Sequence, residues 1–386
     1  MKKLLTILVA LLFAAPANEA TAQNLLKKIG KAVTNEVINE LKNKSNKEQK
    51  SQPQATPTKE QKSQPQATPT KAASQSSPQQ AAKVSISEVC TNPQIVSQNG
   101  RGANVIIDGI EYVIHTDKKE ACLMRVSQPM RGKTTNVTVW GGIKYNGVVY
   151  PVTTIMAHAF EGESLTAVTL SHNLQEIREE AFCYSKLKRV VVHGATKRIG
   201  ASAFAGTNLE SVVLENGIKR IESGAFAGCK MLTSIQIPQS VTRLEQRLFE
   251  DCTKLTEVIL PRTIERIEPY MFSGCTSLTS YSIPSSVVSI GQNAFERSGL
   301  KAVNIPLNVK TIEDGAFIEC QQLERITIPS TVESFGFSVF AFCNKINTVY
   351  INVKFKNHQD VANIFSGTSI ITNNDLDQCP ALKWTE

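Results

Sequence analysis

Residues 232–252 read LTSIQIPQSVTRLEQRLFEDC, and residues 255–275 read LTEVILPRTIERIEPYMFSGC. The two stretches align without a gap. They share the apolar positions, the proline at 238 and 261, and the Phe and Cys near the end. A unit of this length that reappears in register predicts a solenoid, because one coil cannot bury its apolar face alone and stacked neighbours bury it together.

The phenylalanine of this unit recurs along most of the chain. Successive copies are 22 or 23 residues apart, and the residue before Phe is most often Ala. Such a short coil leaves no room for a long crossover helix, so we expect a mostly β solenoid with short helical or 3-10 turns around the Phe positions. These positions are Phe160, Phe182, Phe204, Phe226, Phe249, Phe272, Phe295, Phe317 and Phe340.

Each coil is predicted to contain one short strand that proline ends, because proline has no N–H for the ladder. Residues between the two buried apolar positions should face outward in one column. That column is Thr169, Val191, Val213, Gln236, Ile259, Ser282, Asn304, Thr327 and Tyr350, and a neighbouring column includes Arg189, Glu257 and Arg325. We interpret both as the candidate partner-binding surface. The alternative is that β-branched residues occur there because they favour strands.

Five of the nine cysteines share one position, three residues after Phe: Cys229, Cys252, Cys275, Cys320 and Cys343. Other copies have Ser, Thr or Glu there, which indicates a small group in a buried turn. The alternative is a metal-binding thiol ladder, which the absence of paired C-x-x-C spacings disfavours. Cys90 and Cys122, before the repeats, are the candidate disulfide of an exported protein.

The first 83 residues differ in composition from the rest. Residues 1–22 have the basic start, apolar run and small residues of a secretory signal peptide, with cleavage expected after Ala22. Residues 23–46 predict a basic amphipathic helix that packs on itself or frays. The alternative is that residues 24–44 associate with an anionic membrane surface or with further copies of the helix. Residues 47–83 contain the tandem KEQKSQPQATPT repeat and predict a low-complexity linker.

The remaining chain divides into three segments. Residues 84–150 lack the repeat but alternate apolar and polar residues around an Asp-Gly turn, so we expect a β-rich N-terminal cap. Nine repeats occupy residues 151–343. Residues 344–386 are expected to hold a degenerate last repeat, around Phe365, and a C-terminal cap.

The net charge of +8 is carried by residues 1–83. Residues 24–83 contain 11 lysines against 4 glutamates, whereas residues 84–386 contain 29 basic and 29 acidic side chains. A nucleic-acid groove would need its positive charge on the folded domain, so we expect no nucleic-acid partner.

No catalytic constellation is recognisable among the five histidines. None lies in an HExxH context, no GxSxG motif occurs, and no Gly-rich phosphate loop follows a predicted strand. His172 and His193 fall at the same phase of consecutive coils, so we expect them to be close in space. The sequence predicts no enzyme, no cofactor and no metal.

The unit LxxVxIPxxVxxIxxxAFxxC closely resembles the BspA-type leucine-rich repeat of bacterial surface proteins. Residues 107–114, IDGIEYVI, and 142–155, GIKYNGVVYPVTTI, resemble the β cap that introduces those repeats. The resemblance covers roughly residues 100 to 370. It implies a leucine-rich-repeat superhelix.

The resemblance also implies an extracellular or surface-associated binding protein, in several members an adhesin for host matrix or plasma proteins. We therefore expect export to the cell surface or medium, with the periplasm as the alternative, and a protein ligand. A structural spacer or self-assembling envelope protein is the rival function.

Overall fold

The computed structural model describes residues 88–133, 135–351, 362–368 and 382–384, the last of these by backbone only. The signal peptide, amphipathic helix and linker expected in residues 1–83 lie outside the described residues. Within the described part, no helix has the length and apolar character needed to cross a bilayer.

The N-terminal part of the described chain is β structure. Strands β2 to β5 form an antiparallel meander in which β3 and β4 are the expected hairpin around Asp108 and Gly109. Both turn residues have positive φ, 50° and 78°. The strands are β1 (Val89–Cys90), β2 (Gln94–Asn99), β3 (Gly102–Ile107), β4 (Ile110–His115), β5 (Glu120–Val126), β6 (Asn136–Thr138), β7 (Gly142–Tyr145) and β8 (Val148–Ile155).

Most of the following coils contribute one longer and one two-residue strand. The longer strands are β9 (Ala167–Thr169), β11 (Arg189–Val192), β13 (Ser211–Leu214), β15 (Ser234–Gln236), β17 (Glu257–Ile259), β20 (Ala302–Asn304), β22 (Arg325–Ile328) and β24 (Thr348–Ile351). The two-residue strands are β10 (Glu176–Ile177), β12 (Arg198–Ile199), β14 (Arg220–Ile221), β16 (Arg243–Leu244), β18 (Arg266–Ile267), β19 (Ser289–Ile290), β21 (Thr311–Ile312) and β23 (Ser334–Phe335). A last strand, β25 (Leu382–Trp384), pairs in parallel with β24.

Parallel pairing stacks the strands of successive coils into two ladders. The outward side chains of β6, the longer coil strands and the equivalent residues 280–282 form what we call the strand face. The outward side chains of the two-residue strands form the return face. The strand-face ladder runs β6-β9-β11-β13, then β15-β17, then β20-β22-β24-β25, and the return-face ladder is interrupted between β16 and β18.

The phenylalanines form one continuous stack through the core. All nine repeat rings are fully buried, and neighbouring centroids are between 5.0 and 6.2 Å apart. Phe365 continues the stack, 5.2 Å from Phe340, so the degenerate copy near the C-terminus has the same packing as the others. The expected mostly β solenoid is confirmed.

The turns around these rings are overlapping hydrogen-bonded turns. The residues two before and two after each Phe have left-handed backbone, as at His158 (φ 58°) and Gly162 (φ 65°) around Phe160. Their N–H groups and that of Phe160 donate to carbonyls of the next coil at 3.2, 2.8 and 2.7 Å. Because a left-handed residue cannot continue a right-handed helix, these turns are tighter than the expected helical ones.

The cysteine column is buried and reduced in the structure. All five thiols are fully buried, and each donates a hydrogen bond to the carbonyl oxygen of the Phe one coil earlier, as from Cys252 Sγ to Phe226 O at 3.2 Å. In another coil Thr207 takes this position, and its Oγ1 donates to its own Phe204 O at 2.8 Å. Where the column holds a cysteine, it therefore satisfies the Phe carbonyl of the preceding coil.

The expected disulfide between Cys90 and Cys122 is wrong for this structure. Both thiols are free and buried. Cys90 lies on β1, which pairs with β7, whereas Cys122 lies on β5, which pairs with β4 and β8.

The strand-face ladder is interrupted for the second time between β17 and β20, in the coil that contains Tyr281. Tyr281 takes the position that Val or Ile occupies in the other coils, and its ring packs 5.0 Å from Phe272 and 5.8 Å from Phe295. Residues 280–282 form no strand between β17 and β20. The break thus coincides with the coil in which a larger ring replaces Val or Ile.

Candidate functional site

The outward column predicted from the sequence is in register within each of the three parts of the strand-face ladder. Val191 is paired with Val213, Gln236 with Ile259, and Thr327 with both Asn304 and Tyr350. The column begins before the repeats, since Thr138 of β6 pairs with Thr169. Parallel pairing places equivalent side chains about 4.8 Å apart along the stack.

These side chains are available to a partner. Every residue of the predicted column is exposed except Thr327, which is half-buried. The exposed fraction is 41% for Val191, 49% for Val213 and 45% for Ile259. None of the column residues carries a charge, so a partner would desolvate methyl groups, hydroxyls and amides and no ion.

The neighbouring column supplies charge at the margin of this uncharged strip. Arg189, Glu257 and Arg325 are all exposed. Arg189 pairs with Ala167 and Ser211 in the ladder and lies 3.9 Å from Glu210, a separation that leaves its guanidinium largely in solvent. Exposed charges of this kind influence the rate and orientation of association more than its final affinity.

The return face differs because its charges are partnered within the chain. Glu222 accepts two hydrogen bonds from Arg198, both 2.7 Å long, and a second cation, Arg220, approaches it to 2.9 Å. Burial alone would raise the pKa of Glu222, but the hydrogen bonds from Arg198 lower it overall. Arg198 also contacts Glu176, so the network spans successive coils.

A pocket of about 700 Å³ lies where the return-face ladder is interrupted between β16 and β18. Its walls include Arg243, Glu245 and Arg266. These groups already have partners: Arg243 lies 3.4 Å from Glu245, and Arg266 lies 2.8 Å from Glu313. The strand face therefore offers a partner more unengaged surface than this pocket does.

The two histidines expected to be close are in contact. The rings of His172 and His193 stack with centroids 3.9 Å apart, and Nδ1 of each lies within 3.3 Å of a glutamate oxygen, from Glu88 and Glu215 respectively.

Sequence reasoning missed a second histidine cluster, formed by His158, Glu161 and Glu180. The ligands come from two coils, so no contiguous motif marks them. The available signal was the repeat itself: His158 and Glu180 are both two residues before a Phe, 22 residues apart.

The sequence matches the family described as "BspA type Leucine rich repeat region (6 copies)" over residues 146–256 and 244–372, more than half of the chain. No curated protein matches it at a significant level.

Several solved structures are similar to this chain. The pneumococcal vaccine antigen PcpA is 18% identical over 66% of this chain and 82% of its own, with a TM-score of 0.46. A leucine-rich repeat protein from Bacteroides ovatus is 18% identical over 73% and 99%, with a TM-score of 0.30. The T. pallidum leucine-rich repeat protein TpLRR is 23% identical over 62% and 89%, with a TM-score of 0.35.

Proposed function

This chain belongs to the family of BspA-type leucine-rich repeat proteins, and we propose that it is exported and binds another protein through its strand face. The observation that carries this proposal is the uncharged column, whose residues pair in register between neighbouring coils. More than two fifths of the surface of Val191, Val213 and Ile259 is exposed to solvent. The family resemblance, which implies a surface-associated binding protein, supports it.

We propose binding and not catalysis. The column on the strand face is an uncharged strip, and its side chains suit the centre of a protein interface, where charged residues are depleted. The marginal residues Arg189, Glu257 and Arg325 would orient a partner around that centre. A host matrix or plasma protein is the class of ligand that the family resemblance implies.

The first test of binding replaces Val213, Gln236 and Ile259 with lysine. These side chains point into solvent, so each substitution should change stability by no more than about 0.5 kcal/mol. Binding to a panel of purified matrix and plasma proteins, measured by surface plasmon resonance, should be lost because buried ammonium groups would be unpaired in the interface.

A matched control adds the same charge elsewhere. The variant Gln246→Lys, Thr263→Lys and Val288→Lys changes three exposed residues that lie outside the strand-face strands. It should bind as the natural protein does. If the strand-face variant folds and retains full affinity, the proposed interface is wrong. If no matrix or plasma protein binds the natural chain, the spacer function is favoured.

The proposed location is tested separately, by treating intact bacteria with protease and following the protein with an antibody. Degradation on intact cells supports exposure at the surface. Complete protection, with degradation only after the envelope is opened, supports the periplasm and contradicts a role in binding host proteins.

A further inference from the structure

Three side chains with metal-ligating atoms meet at the outer edge of the first two Phe turns. His158 and Glu180 occupy the left-handed position two residues before Phe160 and Phe182, with φ of 58° and 53°. Stacking of the coils therefore places one side chain beside the other. Glu161, next to Phe160, completes the group.

The distances within this group suit a metal ion. Nδ1 of His158 lies 2.9 Å from Glu161 Oε2 and 3.5 Å from Glu180 Oε2, and the three ligating atoms all lie within 4.8 Å of one another. Metal–ligand bonds of about 2.0–2.2 Å place neighbouring ligands about 3 to 3.5 Å apart. Two of the three separations are close to these values, and the third, between the two carboxylate oxygens, is at most 4.8 Å.

The charges of the group are incompletely balanced. Within the described residues, His158 is the only basic group in an ion pair with either Glu161 or Glu180. The nearby Arg131 is engaged elsewhere, 3.2 Å from the buried Glu163. Two carboxylates thus share at most one positive charge, whereas Glu222 on the return face is contacted by two arginines.

The group is accessible from solvent. Its side chains are 53%, 41% and 41% exposed for His158, Glu161 and Glu180. A pocket of about 400 Å³ adjoins them, lined in part by Met124, Met156 and His158. Water can therefore reach any coordination positions that the protein leaves open.

We propose that His158, Glu161 and Glu180 bind a divalent transition-metal cation, with Zn²⁺ as the best fit. An imidazole nitrogen with two carboxylate oxygens suits Zn²⁺ better than Ca²⁺ or Mg²⁺, which prefer oxygen ligands alone. Water completes the coordination. Because the ligands come from consecutive coils, the ion joins the first coil to the second at the edge nearest the N-terminal β structure.

The test is isothermal titration calorimetry of the full chain, purified without a histidine tag, with zinc chloride and with calcium chloride. We expect saturable Zn²⁺ binding, and His158→Ala should lower the affinity at least about 10-fold. Even the loss of a residue that only supports a metal ligand typically lowers metal affinity by that factor. The Glu161→Gln and Glu180→Gln double variant, which preserves side-chain shape, should show a comparable loss.

His172→Ala is the matched control, since His172 is also exposed and also lies within 3.3 Å of a glutamate oxygen. It should bind Zn²⁺ as the natural chain does. The proposal is overturned if the natural chain shows no binding, if His158→Ala binds normally, or if His172→Ala loses as much affinity. Calcium binding at equal affinity would overturn the assignment to Zn²⁺.

Discussion

The rings of Phe295 and Phe317 stack with their centroids 5.0 Å apart and their planes inclined by 1°. The two residues are 22 positions apart, so identical local structure repeats with almost no rotation between these coils. Each ring covers the next, and removing one exposes two neighbours. Stability should consequently depend strongly on any single member of the stack.

We expect Phe226→Ala to lower the free energy of unfolding by roughly 3 to 5 kcal/mol, because the buried ring leaves a cavity between Phe204 and Phe249. Urea denaturation followed by circular dichroism measures this change. Phe337→Ala, at a ring that is 69% exposed, is the control and should cost no more than about 0.5 kcal/mol. Equal costs would contradict the role of the stack.

Cys275→Ser should lower the free energy of unfolding by only about 1 kcal/mol, since a hydroxyl can replace the thiol that donates to Phe249 O. Ser185 and Ser298 already occupy this position, both buried. In the native state a thiol reagent should leave the column cysteines unmodified, because burial excludes the reagent and raises the pKa of Cys275. Rapid native labelling there would contradict the buried column.

Tyr281→Phe should raise the free energy of unfolding by about 1 kcal/mol. The Tyr281 hydroxyl is buried and has no hydrogen-bond partner within the described part of the chain, so its removal relieves a desolvation cost. Tyr145→Phe is the control: its hydroxyl donates to Gln98 Oε1 at 3.0 Å, and its loss should destabilise by a similar amount. Destabilisation by both variants would indicate a partner for Tyr281.

Glu222→Gln should reduce the acid sensitivity of the fold. The pKa of Glu222 is lowered from its ordinary value of 4.5, so its ionised form stabilises the fold above pH 4.5. That contribution is lost as the pH falls below 4.5 through the lowered pKa. Urea midpoints at about pH 6 and pH 3 should therefore differ more for the natural chain than for the variant.

Glu210→Gln provides the comparison for this measurement. Glu210 is half-exposed and its nearest cations, on Lys188 and Arg189, are 3.9 Å away. Such a loose surface pair contributes less than about 1 kcal/mol, so this variant should keep the pH response of the natural chain. An identical response in both variants would show that the return-face network does not set acid stability.

The repeat unit was predictable because its signals are periodic. Phe226 and Cys229 mark the same two positions in coil after coil, and the residue between two buried strand positions must face outward, as Gln236 does. The hairpin of β3 and β4 was predictable from Asp108 and Gly109, whose dipeptide favours a tight turn.

Other features depend on contacts that no single coil encodes. The left-handed residues before and after each Phe range from Gly224 to Tyr270 in identity, so they leave no composition signal. The break after β17 coincides with one large side chain, Tyr281, in a position otherwise held by aliphatic residues. A disulfide between Cys90 and Cys122 was predicted because exported proteins usually pair their cysteines. That expectation carries no information about the order of the strands.

The hydrogen bonds of the Phe turns point in one direction, with N–H groups toward the C-terminal neighbour and carbonyls toward the N-terminal one. A coil consequently has a donor edge and an acceptor edge. The donor edge of one molecule is complementary in hydrogen bonding to the acceptor edge of another. A bare stack could therefore grow head to tail into a fibre. The N–H of Val126 donates to Ala159 O at 3.3 Å, at the first acceptor edge. The N-terminal β structure thereby occupies part of the edge through which such a fibre would grow.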